Sequence, residues 1–146
     1  MDELNWKILA CLQVNARESF SSIGRKVGLT SPAVKERVAK MQDAGIIQDF
    51  KTVVSHTHLG FQLRAIITLR AFVGKLKPFL EHVKNFDEVL NCYRITGNEN
   101  IIMEVVLQNQ SHLEKFIDTL ITYGETRTHI ILSNVISNAQ VKKVNK

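Results

Sequence analysis

The sequence predicts an α+β chain in two parts, a helical head followed by a mixed layer of helices and strands. Two observations predict it. Apolar residues recur at steps of three and four as far as about Ala44, the period of amphipathic helices. From Leu63 the period falls to two, with Leu63, Ala65, Ile67, Leu69, Ala71 and Val73 all apolar, as in a strand with one buried face. The expected division is a helical domain at 1–52, a linker at 53–61 and a second domain at 62–143.

Each element has its own signal. Asp2 is placed to cap a first helix whose apolar side is Leu4, Ile8, Cys11 and Leu12, with Asn15 at its end. Ser19 or Ser21 caps a short second helix holding Ile23 and Val27, and Gly28 stops it. Thr30 caps a third, with Pro32 tolerated in its first turn. Its inner face is Val34, Val38 and Met41, and Gly45 ends it. Ile46 to Val54 reads as extended.

The strand from Leu63 is followed by a helix with Pro78 near its start and an apolar face of Leu76, Phe79, Leu80 and Val83. Val89 to Thr96 and Ile101 to Leu107 read as a hairpin joined by Gly97-Asn98-Glu99-Asn100. Ser111-x-x-Glu114 has the form of a capping box opening a helix that Gly124 stops. Thr128 to Ile136 reads as the last strand, and Asn138 to Lys146 as a loose polar tail. The order β-α-β-β-α-β is the split βαβ arrangement of ferredoxin-like folds.

Composition narrows the function. At 146 residues and 45% hydrophobic, the chain is a folded globular protein. No apolar run approaches the ~18 residues of a membrane span, and the acidic start Met1-Asp2-Glu3 lacks the basic opening of a secretory signal, so a cytoplasmic protein is expected. Cys11 and Cys92 are isolated, which points to reduced thiols and to neither a metal site nor a disulfide framework. The net charge of +5 permits a nucleic-acid partner without requiring one. Its position is more telling. Residues 20–40 hold Arg25, Lys26, Lys35, Arg37 and Lys40 against Glu36 alone.

Three short helices with a glycine in the turn have the shape of a helix-turn-helix unit. Its last helix turns Ser31, Pro32, Lys35, Glu36, Arg37 and Lys40 outward. A helix of this kind enters the DNA major groove with its N-terminal residues at base edges. Ser31 and Lys35 are placed for bases, with Thr30 and Pro32 at the same end. Arg37 and Lys40, with Arg25 and Lys26, are placed for phosphates. The competing reading is a solvated amphipathic helix with ordinary surface lysines.

The residues Ile8-Leu9-x-x-Leu12-Gln13, Arg17-x-Ser19, Val27-Gly28-Leu29-Thr30, Val34-x-x-Arg37-Val38 and Gly45-Ile46-Ile47 resemble the DNA-binding half of the Lrp/AsnC (feast/famine) transcription regulators. Leu59-Gly60, Thr96-Gly97 and Thr126 to Ile136 follow in the same order and spacing. The resemblance implies a helix-turn-helix head, winged or plain, joined to a ferredoxin-like effector-binding and oligomerising domain. It further implies homodimers, octamers of four dimers, double-stranded DNA as partner and a free amino acid as effector. The implied effector residues are Gly97, Asn98, Asn100, Thr126 and Thr128. The chain departs from the pattern at several places. Asn98 and Asn100 replace two acidic residues, Asn5-Trp6 an acidic and a polar one, Gly24 an alanine and Asp49-Phe50 a Gly-Tyr pair. An amide holds an ammonium less strongly than a carboxylate. The pocket is therefore open to weak amino-acid binding, to another small molecule or to no ligand. Alternation puts Glu99 on a different side from Asn98 and Asn100.

Both sheet faces carry apolar residues. Opposite the first strand's inner face lie Ile66 and Phe72, and opposite the third's lie Ile102 and Val106. Such a face calls for a partner, most simply a second copy, or for cover from the head or the tail. No phosphate loop, HExxH or GxSxG occurs. His56-x-His58 lacks cysteine or carboxylate company, and Cys92 has no histidine near it in sequence. The chain is accordingly read as a non-enzymatic, cofactor-free regulator. The alternative is a ferredoxin-like sensor or metabolic-enzyme subunit whose helical head binds protein.

Overall fold

The helical half forms because three polar side chains close three helix starts. The structure, a computed structural model, describes residues 1–144. Asp2 caps α1 (Glu3–Val14), Ser19 caps α2 (Phe20–Val27) and Thr30 caps α3 (Ser31–Asp43), each accepting from the backbone N–H three residues on. Each such cap is worth about 1 kcal/mol. The helices bury Ile8, Leu12, Ile23, Val34, Val38 and Met41 against one another, the residues the period-3.6 pattern selects. Gly28, at φ 75°, ends α2 in the left-handed region. Gly24 is required for another reason. A Cβ there would sit 2.4 Å from the Leu29 carbonyl oxygen, in the turn whose Leu29 N–H donates back to Gly24 at 2.9 Å. Alanine, the better helix former, would collide with backbone.

The second half holds β1 (Leu63–Ala71), α4 (Leu76–His82) with a following 3-10 turn (Val83–Asn85), β2 (Val89–Arg94), β3 (Ile101–Leu107), α5 (Gln110–Leu120) and β4 (Gly124–Ile130). The sheet order is β2-β3-β1-β4, all antiparallel, which is the ferredoxin-like arrangement. Register sets Leu69 opposite Ile101 and Ala71 opposite Gly124. Ala65, Ile67, Leu69, Ile101, Met103, Val105 and Leu107 pack on Phe79, Val83, Phe116 and Leu120 in one core. Edge-to-face pairs Phe79–Tyr123 and Phe86–Phe116, each with ring centroids 5.5 Å apart, close its rim.

Four sequence expectations are corrected. The cap of α5 is Asn109, whose Oδ1 accepts from the His112 N–H at 2.9 Å, so Ser111 lies inside the helix and opens no capping box. The last strand is Gly124–Ile130, not 128–136. Its sequence GETRTHI hides a strand behind polar residues, whereas the apolar run beyond it leaves Leu132, Val135 and Ile136 exposed. Gly124 opens that strand instead of stopping α5, which ends at Leu120. Val73 lies past the end of β1 and is fully exposed.

The outer face of the sheet is less apolar than its sequence suggests. Ile66 and Ile102 are half-buried and Val106 is buried within the single chain, while Phe72 lies beyond the strand. An Arg64–Glu104 ion pair crosses this face. Beside it, the Thr68 hydroxyl and Arg64 Nε are buried without a hydrogen-bond partner among the described residues.

The chain divides into two units, one of Met1–Val53 with Ile136–Lys146 and one of Val54–Val135; Asn145 and Lys146 lie outside the described residues. The tail expected to be loose is anchored. Val141 bonds to Gln13, and Lys143 pairs with Glu3 on α1.

Candidate nucleic-acid interface and ligand cleft

Pro32 in the first turn of α3 and the buried Val34, Val38 and Met41 fix which side of that helix is open. Thr30, Ser31, Pro32, Lys35, Glu36 and Lys40 are exposed. The Thr30 Oγ1 is occupied as acceptor of the Ala33 N–H at 3.4 Å, which leaves its O–H proton available to an anion. Arg25, in the last turn of α2, is exposed. Among the described residues neither Arg25 nor Lys35 has a salt-bridge partner, whereas the other three cations of this segment do. Lys26 reaches Glu18 at 2.6 Å and Lys40 reaches Glu36 at 2.6 Å. The lysine beside Glu18, then Ser22, hold that carboxyl below its ordinary value.

Arg37 is the most committed of the five. Its guanidinium donates to Asp2 Oδ2 at 2.6 Å and to Asn5 Oδ1 at 3.0 Å. Asp2 thus divides its two oxygens, Oδ1 closing α1 and Oδ2 holding α3, and Arg37 followed by the Asn5 N–H lowers its pKa. The departure at Asn5 is accommodated, since a neutral amide suffices as the second acceptor. Period and composition could not have found this contact, because the partners stand 35 residues apart.

A cleft of about 110 Å³ lies in the sheet unit between Arg70, Asn98, Glu99, Glu125, Thr126 and Arg127. Of the residues implied by resemblance it gathers Asn98 and Thr126. Gly97 (φ 116°) shapes the turn. Asn100 is used structurally, its Oδ1 accepting from the Ala71 N–H at 2.8 Å and its own N–H donating to the Leu69 carbonyl. Thr128 lies further along β4, opposite Ile67. The placing of Glu99 on a different side by alternation is corrected. It lines the cleft with Asn98 and pairs with Arg127 at 3.4 Å, and Arg70 pairs with Glu125 at 2.9 Å. Strand alternation does not extend into a turn, which is why the sequence missed it. The four charged groups present both signs to the same small space.

On the outer face, the Arg64 guanidinium, aided by Asn91, holds the Glu104 carboxyl below its ordinary value against the opposing effect of burial. A carboxylate with a depressed folded pKa contributes stability above its unfolded value of 4.5 and loses it as pH falls through the folded one. Glu104→Gln is therefore expected to be less stable than the parent at neutral pH, with the gap closing below about pH 4.5. Denaturant midpoints taken across that range check this; a gap that stays constant to pH 2 would show that the pair contributes no acid sensitivity. Burial pushes the Cys92 thiol up, in keeping with a core cysteine. Among the described residues no three metal-ligating side chains converge, and no helix is long and apolar enough to cross a membrane.

A helix-turn-helix head on a ferredoxin-like sheet unit defines a class of DNA-binding regulators with a ligand-binding domain. Residues 1–42 match the AsnC-type helix-turn-helix domain, and residues 64–141 match the Lrp/AsnC ligand binding domain. The chain is 32% identical over 141 residues to the HTH-type transcriptional regulator Rv2324 of Mycobacterium tuberculosis, covering 93% of this chain and 95% of that one. Its fold is similar to that of Bacillus subtilis LrpC, with a TM-score of 0.89 at 26% identity over 94% of this chain and 98% of the other. It is also similar in fold to a regulator from Neisseria meningitidis, NMB0573, solved as a complex with L-Met, at 23% identity and a TM-score of 0.88, over 94% and 93% of the two chains. The chain belongs to the Lrp/AsnC family and is a DNA-binding transcriptional regulator.

Proposed function

We propose that two copies of the chain read a two-fold symmetric DNA site through α3, and that a free amino acid in the cleft beside Asn98 and Glu99 tunes that binding. The observation that carries the DNA reading is the open N-terminal half of α3, where Ser31, Pro32 and Lys35 are exposed and Lys35 has no salt-bridge partner among the described residues. Ser31 and Lys35 meet base edges, with Thr30 and Pro32 against the backbone at the helix start. Arg25 meets a phosphate. Lys26 and Lys40 present exposed ammonium groups to their carboxylate partners, and solvent-screened pairs of this kind are weak, so both exchange their carboxylates for phosphates. Arg37 acts differently, as a positioning residue that fixes α3 against the start of α1.

The outer sheet face supports the dimer. Its half-buried Ile66 and Ile102 suit cover by a second copy. Assembly of four such dimers into an octamer follows the family resemblance. The paired signs in the small cleft support an amino acid, whose carboxylate suits Arg70 or Arg127 and whose ammonium suits Glu99 or Glu125; the L-Met complex of the Neisseria relative points to the same ligand class. Glu99 supplies the carboxylate that Asn98 and Asn100 lack, and Gly97 and Thr128 shape the surroundings. The regulator works in the cytoplasm, by binding and not by catalysis.

Selection from random DNA with the purified protein is expected to enrich symmetric half-sites about one helical turn, ~34 Å, apart; recovery of unrelated sequences would sink the reading. Thermal unfolding against the twenty amino acids is expected to show at least one that stabilises by about 2.7 kcal/mol at a hundredfold excess over Kd, an effect lost in Glu99→Gln with Arg127→Ala. Flat curves for all twenty would discard the amino-acid effector while leaving the DNA reading standing.

A further inference from the structure

The cleft beside Asn98 and Glu99 has a chemical character beyond its paired signs. Every side chain that lines it is polar or charged, and among the described residues no aliphatic or aromatic group walls it. Its charges also balance. Arg70 is joined to Glu125 at 2.9 Å and Arg127 to Glu99 at 3.4 Å. The four are not equally open. The Glu99 side chain is 26% exposed, whereas those of Arg70, Glu125 and Arg127 range from 58% to 77%. Glu99 is therefore the most sheltered charge of the group and the least screened by water. Half-buried Thr126, opposite Leu69 on β1, adds a hydroxyl, and Asn98 adds a carboxamide.

We infer that, granted the amino-acid ligand proposed above, this cleft selects one with a small, neutral, hydrogen-bonding side chain and turns away aliphatic, aromatic and charged ones. The α-ammonium goes to the sheltered Glu99 carboxylate and the α-carboxylate to its partner Arg127. A zwitterion makes both exchanges without adding net charge. The Arg70–Glu125 pair stays intact, so a third charge on the ligand finds no unmatched partner and is repelled by one member of that pair. An aliphatic or aromatic side chain finds no apolar surface to bury against and gains nothing from leaving water. A hydroxyl or a carboxamide finds Thr126 and Asn98, each of which both donates and accepts. The small volume of the cleft, about 110 Å³, sets the limit on size.

The test is calorimetric titration of the full-length protein with pairs of free amino acids matched in shape. Threonine is set against valine, asparagine against leucine, and asparagine against aspartate. In each pair the first is expected to bind about tenfold more tightly, the size of one hydrogen bond made or left unmade. Thr126→Val keeps the shape of that side chain and removes its hydroxyl. It is expected to bring threonine and valine to within about twofold of each other, since a site that offers no hydrogen bond cannot reject the analogue that lacks one. Valine, leucine or aspartate binding as tightly as its counterpart would overturn the selectivity and leave an amino acid as effector. So would silence from these five with a thermal response to another of the twenty. An unchanged threonine-to-valine ratio in Thr126→Val would overturn the assignment of that hydroxyl. Silence from all twenty would overturn the amino-acid reading itself.

Discussion

A chain carrying alanine at position 124 is expected to lose about 1–3 kcal/mol of stability in its sheet unit, the range for overfilling a packed site. Gly124 lies opposite Ala71 where β4 begins. A Cβ added there would stand 2.3 Å from the Arg70 carbonyl oxygen and 2.8 Å from the Ala71 Cα. Both are backbone atoms of the neighbouring strand, so no rotamer change relieves the overlap. The strands must separate at the end of the ladder, next to the cleft that Arg70 and Glu125 line. Because Trp6 sits in the head, its emission follows that unit alone, and the sheet's transition is read by circular dichroism. The expected result is a lower denaturant midpoint for the sheet with the Trp6 transition unmoved. An unchanged sheet midpoint would mean that β1 and β4 do not need this closeness.

The second large effect is on DNA. Arg25→Ala is expected to weaken binding to cognate and unrelated DNA alike and to lower the slope of log K against log salt by about 1, as the loss of one phosphate contact should. Lys35→Ala is expected to cost about 1–3 kcal/mol on the cognate site and to relax base preference where it reads. Arg37→Ala is expected to separate from both. It leaves Asp2 with its capping role only, lowers the stability of the head and weakens cognate binding with little change in salt slope. Titrations at several salt concentrations on cognate and scrambled duplexes distinguish the three. Unchanged affinity in both Arg25→Ala and Lys35→Ala would remove α3 from the interface.

The elements that were legible in the sequence are those whose signals are local. Asp2, Ser19 and Thr30 cap helices because a cap needs only the residue and its next turn, and the inner faces follow from the period. The element order β-α-β-β-α-β followed from two periods and the turn chemistry between them. β4 is hidden because its residues alternate between half-buried threonines and exposed charges, while the apolar stretch after it keeps a single backbone bond to β1, from the Ile131 N–H to the Arg64 carbonyl, and leaves Leu132, Val135 and Ile136 exposed. Asn109 does not stand out as a cap because Ser111 and Glu114 offer a more conspicuous pattern two residues further on. At the candidate interface the outward residues of α3 could be read, but the pairing state of its cations could not. Asp2–Arg37 and Glu18–Lys26 join residues from different helices or from a helix and a turn, and no window of sequence shows such pairs. The anchoring of the tail by Gln13 is the extreme case, with donor and acceptor separated by 128 positions.

The pairing of those cations has a further consequence for how the protein finds its sites. Residues 20–40 hold a net charge of +4, but inclusion of Asp2 and Glu18, the partners of Arg37 and Lys26, halves it. Long-range attraction scales with net charge and collapses over a Debye length of about 8 Å at physiological ionic strength. A head that neutralises its own arginine gives up part of that pull in exchange for a rigidly set reading helix. Its encounter rate with random duplex should be modest and only weakly salt-dependent, with discrimination expressed in how long it stays and not in how fast it arrives.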